Sequence, residues 1–246
     1  QELIGYIQRA VGYCLSADVS EQMMFILIGN GRNGKSVFLN VLEEILGSYA
    51  MNIQPSTIAV SRNVSSGANP DIARLNGARL VTTTEPNKGM QLDEGIIKQM
   101  TGDDKITARF LYGSDFEFKP TFKIWMATNH KPIIQGTDDG IWRRMAIVPF
   151  EYQVPKDKVD KKLIYKLEKE LTGILNWAVE GFQQWKEIGL REPKVVADQR
   201  AEYRTDMDVV QRFIEEECII EPSAEIKSSE LWTEYKHWAK TNEEYL

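Results

Sequence analysis

A chain of 246 residues, 42% of them hydrophobic, can bury one sizeable core and carry a smaller appended region. No apolar run is long enough to cross a membrane, no charged-then-apolar leader opens the chain, and Cys14 and Cys218 with His130 and His237 offer no zinc spacing, so a reduced, cytoplasmic protein is expected. The net charge of −6 is uneven: residues 1–150 hold 15 basic and 15 acidic side chains and the rest hold 15 and 21, so a local basic element on a neutral body stays open.

Residues 2–16 have the apolar spacing of an amphipathic helix. "MMFILIG" (Met23–Gly29) is a continuous apolar run ending in glycine, as expected of a strand buried on both faces of a parallel sheet. The turn Gly29-Asn30-Gly31-Arg32-Asn33-Gly34-Lys35-Ser36 then leads, through Val37, into an apolar-periodic helix that stops near Gly47. It fits the pattern GxxxxGK[ST] in strand–turn–helix context. Glycines let successive backbone N–H groups face an anion at the positive end of the helix. Lys35 would reach the β- and γ-phosphates and the Ser36 hydroxyl would ligate Mg²⁺. A nucleoside triphosphate is therefore the expected ligand, bound by residues 29–37. "NHKP" (Asn129–Pro132) is not the guanine motif N-K-x-D, which disfavours a GTPase and leaves ATP.

Residues 54–70 read as a loop or irregular helix, and "ARLVTTTEP" (Ala78–Pro86) as a second buried strand. That strand ends in Glu85, the acid a phosphate-loop enzyme needs near Mg²⁺ or the attacking water, although a solvated strand-end acid is the plainer alternative. "LDEGIIKQMTG" (Leu92–Gly102) carries acids early, Lys98 late and glycine last, the start and stop signals of a helix. A hairpin follows, with strands at Lys105–Leu111 and Asp115–Lys119 joined across "YGSD" (Tyr112–Asp115). Lys105, Thr107 and Arg109 share one face of its first strand. That basic stripe beside an aromatic tip at Tyr112 suits a DNA backbone, but on pattern alone a solvated face fits at least as well.

"FKIWMATN" (Phe122–Asn129) is a third core strand, placing Asn129 where an amide could sense the γ-phosphate or its water. "DDGIWRRM" (Asp138–Met145) sets Arg143 and Arg144 at the end of a short helix before a fourth strand, "MAIVPF" (Met145–Phe150). Arginine best neutralises charge on a transferring phosphoryl group, and a surface ion-pair cluster with Asp138 and Asp139 is the competing reading. Helices follow at about 158–171, 172–187, 194–217 and 228–240. Strands alternating with helices indicate an α/β nucleotide-binding core, a central parallel sheet flanked by helices, followed by a helical region. The expected division is an N-terminal helical segment at 1–20, an ATPase core at 21–155 and a C-terminal helical region at 156–246.

The series "GNGRNGKS", "LVTTTEPNKG", "IIKQMTGDDKITARFLY", "FEFKPTFKIWMATNHKP" and "GTDDGIWRRMAIVPF" resembles the superfamily 3 helicases, in the branch of phage and plasmid primase-helicases and the poxvirus primase-helicase. The resemblance covers about residues 5–235. It implies an AAA+ core assembled as a hexameric ring that uses ATP to move on single-stranded DNA and unwind forked duplexes during replication of a phage, prophage or plasmid-like element. It implies the phosphate loop at Gly29–Ser36, the acidic motif at Glu85, sensor 1 at Asn129 and the arginine finger at Arg144, with Arg143 beside it. It also implies a DNA-contacting segment running from Lys98 through the hairpin, and a C-terminal region leading into a small winged-helix-like domain that Leu246 leaves incomplete. An upstream primase or primase-polymerase domain is usual in the family, and the start at Gln1 suggests an excised helicase portion, in the host cytoplasm if viral. The rival classes are an AAA+ replication initiator that binds ATP and DNA without processive unwinding, and a P-loop small-molecule kinase. The kinase would ignore DNA, and the lid rich in arginine that it needs does not stand out.

Overall fold

The computed structural model describes residues 1–61, 69–84 and 86–242. It divides into two compact units, residues 1–200 and 201–246. In the first unit α1 (Glu2–Cys14) precedes β1 (Met24–Ile28), α2 (Lys35–Leu46), β2 (Ala50–Asn52) and α3 (Pro70–Ala73). Then come β3 (Leu80–Thr84), α4 (Glu94–Thr101), the hairpin β4 (Ile106–Ala108) and β5 (Phe116–Phe118), β6 (Lys123–Thr128), α5 (Asp139–Trp142) and β7 (Met145–Pro149). Two more helices follow, α6 (Leu163–Glu168) and α7 (Leu171–Ile188).

The main sheet has five parallel strands in the order β2-β3-β6-β1-β7. The α/β fold class expected from the sequence, a parallel sheet flanked by helices with a helical region after it, is the one found. Both sheet faces are buried, so β1 and β7 are continuous apolar runs, and β3 and β6 are buried along their length although they carry threonines and Lys123. On one face Phe25, Leu27, Leu80, Trp125, Ala127, Ala146 and Val148 pack with residues of α1, α2 and α7. The alternate residues Met24, Ile26, Val81, Ile124, Met126, Met145 and Ile147 are equally inaccessible on the other. Phe25 and Trp125 are register partners of β1 and β6, and their rings stack with centroids 4.4 Å apart.

Three details lock α1 against this core. A methyl group on Gly12 would lie 2.0 Å from the Phe182 amide nitrogen, and one on Gly181 would lie 2.0 Å from the Gln8 carbonyl oxygen, so α1 and α7 meet backbone to backbone only because both are glycine. At the far end of α1 the buried Lys123 ammonium donates to the Ser16 carbonyl (2.7 Å) and sits over the Tyr13 ring, 4.2 Å from its centroid. Cys14 accepts from the Trp125 indole N–H at 3.1 Å.

The α8 helix (Lys194–Met207) spans the boundary between the units, and the second unit contains α9 (Val209–Glu217) and α10 (Ser228–Thr241). Phe213, Trp238 and Ala239 form its small core. The single helix expected over 194–217 is two, because Asp208 caps α9: its side chain accepts from the Gln211 N–H at 3.0 Å. The expected strands of the hairpin are shorter than the alternation suggests, and the edge strand β2 had no signal in the sequence beyond three residues. No helix among the described residues is long and apolar enough to cross a membrane.

Candidate functional site

Strand β1 lies between β6 and β7, and the chain leaves β1 toward one edge of the sheet while β6 connects past it to the other. The crevice beyond the carboxyl ends of β1 and β6 is thus the point where strand order reverses, where open α/β sheets bind ligands. A cavity of about 260 Å³ lies there, lined by residues 31–37 and 127–129.

The loop from Gly29 to Gly34 wraps the cavity in a conformation set by its sequence. Gly29 permits close approach, since a methyl there would come within 2.3 Å of both the Asn33 amide and the Phe150 carbonyl. Gly34, at φ 88°, turns the chain into α2. Arg32 is exposed and takes φ 49°, a left-handed value that costs a non-glycine residue energy and tends to persist at ligand sites. Asn33 donates to the Phe150 carbonyl at 3.0 Å, fastening the loop to the end of β7.

The Lys35 ammonium is buried, and its contacts include the Gly29 carbonyl at 2.6 Å, Asn33 Oδ1 at 3.0 Å and Asn129 Oδ1 at 3.0 Å. The phosphate loop and the end of β6, predicted as separate elements of one site, therefore converge on one cation. Ser36 is exposed on the cavity wall beside it. Glu85, the expected acid of this site, lies outside the described residues.

The two arginines are far from this crevice. The Met24 N–H donates to the Arg144 carbonyl at 2.7 Å and Met24 pairs with Met145, so the arginines flank the amino ends of β1 and β7. Arg143 is exposed and donates to Gln22 Oε1 at 2.7 Å. Arg144 is buried, with Nε 3.2 Å from Thr101 Oγ1 and Nη1 2.7 Å from the Gly140 carbonyl. Burial, and then the neighbouring Arg143 charge, lowers the Arg144 pKa from its ordinary value.

In the hairpin the basic residues carry acidic partners. Lys105 meets Glu117 at 2.8 Å, Arg109 faces Asp115 at 3.6 Å and Lys119 meets Asp103 at 3.1 Å. Lys98, on α4, pairs with Asp138 at 3.1 Å. Register explains the hairpin pairs: Thr107 opposes Glu117, which sets Arg109 opposite Asp115 and Lys105 diagonal to Glu117. The sequence carried the signal, since Asp115 and Glu117 alternate onto the face of Lys105 and Arg109. What the hairpin offers to solvent is its tip. Tyr112 is 98% exposed at φ 60°, flanked by the exposed Phe110 and Leu111.

Comparison with known proteins agrees with this architecture. A family of unknown function (DUF5906) matches residues 27–144. "Putative helicase L207/L206" of Acanthamoeba polyphaga mimivirus is 31% identical over 96% of this chain and 27% of its own length. "Putative helicase 022R" of Frog virus 3 is 28% identical over 90% of the chain and 25% of its own length. "Putative primase C962R" of African swine fever virus (isolate Tick/Malawi/Lil 20-1/1983) is 28% identical over 91% of the chain and 25% of its own length. The chain spans about a quarter of the length of these curated relatives. Among solved structures, the apo C-terminal region of NrS-1 superposes with a TM-score of 0.57 over 88% of this chain and 55% of that one, at 14% identity, which is a likeness of fold. The chain is a homologue of proteins of large DNA viruses that are named helicase or primase, and the superfamily 3 helicase-like resemblance of its motifs is borne out.

Proposed function

We propose that this chain is the ATP-hydrolysing motor of a replicative DNA helicase, active as a ring, and hexameric as the resemblance implies. The observation that carries the reading is Lys35, held at the carboxyl ends of β1 and β6 by the phosphate loop and by Asn129. The Gly29, Asn33 and Asn129 acceptors are neutral oxygens, which a phosphate carrying full negative charge would outcompete. Residues 29–37 would hold the ATP phosphates, and Mg²⁺, bound at Ser36 with Glu85 nearby, would supply charge neutralisation on the phosphoryl group. Asn129 would orient the attacking water once Lys35 swings to the phosphates. Arginine from a neighbouring subunit, out of the pair at 143 and 144, would stabilise the transition state.

Single-stranded and forked DNA would thread past the hairpin. With Lys105 and Arg109 already paired, the first contact falls to Tyr112, stacking on bases, and phosphates would compete for the lysine and arginine. Residues 21–155 would form the motor core, with helical segments at 1–20 and 156–246, in a longer protein carrying a primase or primase-polymerase domain. Names of the relatives and the quarter of their length that the chain spans support this arrangement. The site of action would be the host cytoplasm.

The decisive experiment compares ATP turnover of the chain and of Lys35→Ala, with and without single-stranded DNA. Turnover that DNA accelerates in the parent and that Lys35→Ala abolishes is the expected result. A parent that hydrolyses ATP only when given a small acceptor would make it a kinase, and this reading would be wrong.

A further inference from the structure

Two of the left-handed angles in the phosphate loop fall on glycine, Gly31 at φ 75° and Gly34 at φ 88°, but a third falls on Arg32, at φ 49°. A side chain at such an angle costs conformational energy that glycine would not. Residues of this kind persist where their surroundings impose the strain, and they cluster around bound ligands.

The imposing contacts come from the chain after β7. The Phe150 carbonyl accepts from the Asn33 side-chain amide at 3.0 Å, and the Gln153 side-chain amide donates to the Asn30 carbonyl at 3.2 Å. The Val154 N–H donates to the Arg32 carbonyl itself at 2.8 Å. Residues 150–154 therefore form a strap along residues 30–33, and the Arg32 peptide unit is held from one side.

The Arg32 side chain is exposed and lines the same cavity as Lys35, Ser36 and Asn129. Among the described residues its guanidinium makes no ion pair, whereas Lys105, Arg109 and Lys119 each face a carboxylate. A triphosphate carries more negative charge than Lys35 offsets, and a guanidinium is a planar fork that can take two oxygens of one phosphoryl group. Arg143 and Arg144, at the amino ends of β1 and β7, leave that charge unmet within the subunit. Loop amides and the buried Lys35 enclose the inner phosphates, so an exposed cation on the cavity wall is left for the outermost.

We propose that Arg32 grips the γ-phosphate of the nucleotide on its own loop, a second cation beside Lys35, and that Gln153 in the strap is a positioning residue for it. The proposal rests on residues 29–37 being a triphosphate site. It makes the loop a reader of the third phosphate: ATP gives the guanidinium its partner and ADP does not.

The test uses the full chain, titrated calorimetrically with ADP and with a non-hydrolysable ATP analogue. Arg32→Gly removes the side chain and the strain together, and Arg32→Gln removes the charge while leaving the strain. Both should bind the ATP analogue about 10-fold or more weakly while ADP affinity stays within about two-fold of the parent. Turnover should fall about 10²-fold in both, and Arg32→Lys should recover part of the ATP preference without the fork. Gln153→Met should melt like the parent and narrow the ATP-to-ADP ratio by a few-fold. Mixing Arg32→Gly with Lys35→Ala should restore no turnover, because every loop is then defective. ATP and ADP weakened equally, or neither weakened, in both Arg32 variants would overturn the proposal, and so would recovered turnover in the mixture. An unchanged ratio in Gln153→Met would remove the strap from it. A parent that binds neither nucleotide would instead overturn the triphosphate-site reading beneath it.

Discussion

Lys35 and Asn129, ninety-four positions apart in the chain, are joined by a 3.0 Å hydrogen bond across the mouth of the sheet. The asparagine holds the lysine before any phosphate does, so Asn129→Ala should leave ATP affinity within a few-fold of the parent. Turnover should fall about 10²-fold, as when one donor to a developing oxyanion is removed. Steady-state kinetics separate the two: a raised KM with kcat unchanged would make Asn129 a binding group only.

The tip of the hairpin should matter more to DNA than its stripe. Tyr112→Ala is expected to weaken single-stranded DNA binding about 5- to 100-fold, the worth of one stacked base, with little change in its salt dependence. Lys105→Ala and Arg109→Ala should cost less, because each cation must first give up Glu117 or Asp115. Titrations by fluorescence anisotropy at two salt concentrations decide the ranking. A larger loss from Lys105→Ala than from Tyr112→Ala would return the contact to the phosphates.

Stability should pass through a maximum in mild alkali. Burial lowers the Lys123 ammonium from 10.5 to about 8, and burial raises the Cys14 thiol from 9.0 to about 11. From about pH 8 to 10.5 the unfolded chain holds a proton the folded lysine has released, so stability climbs with pH. From 9.0 to about 11 the folded thiol keeps a proton the unfolded one has lost, so stability drops. The gain stands alone from about pH 8 to 9, and above about 10 the buried Tyr6 and Tyr13, raised by burial, add to the loss. Melting temperature should rise across pH 8–9, level off, then decline. Lys123→Met should lack the rise, and a parent curve that declines steadily from pH 8 would contradict this account.

Asp208→Ala removes the side-chain cap of α9 and should cost about 0.5–2 kcal/mol of that helix's stability. Hydrogen exchange at residues 210–214 should quicken, while exchange in β1 and β6 stays as it was. Equal acceleration in the strands would mean that the cap supports more than its own helix.

The phosphate loop and the core strands were legible because their signals are local: a glycine pattern, and apolar runs of strand length. Asn129 was legible from its place after such a run. The opposite environments of Arg143 and Arg144 were not, because which arginine points inward depends on where a four-residue helix ends and on Thr101, more than forty positions away. The break at Asp208 was also missed, since an acid inside a periodic stretch reads equally as a solvated helix position. At the hairpin the charges are visible in the sequence, but their pairing follows only from the register that sets Thr107 opposite Glu117.

Gly12 and Gly181 have a bearing on how variation in this chain should be interpreted. They fuse the first helix and a much later one into a single lamina beneath the strands that bear the phosphate loop. A pooled variant library scored for survival would therefore return both glycines as depleted as Lys35, and a map of intolerance would extend the candidate site over residues that do not line its cavity. Soluble yield tells the classes apart: a methyl at position 181 empties the soluble fraction, whereas Lys35→Ala fills it with inert protein.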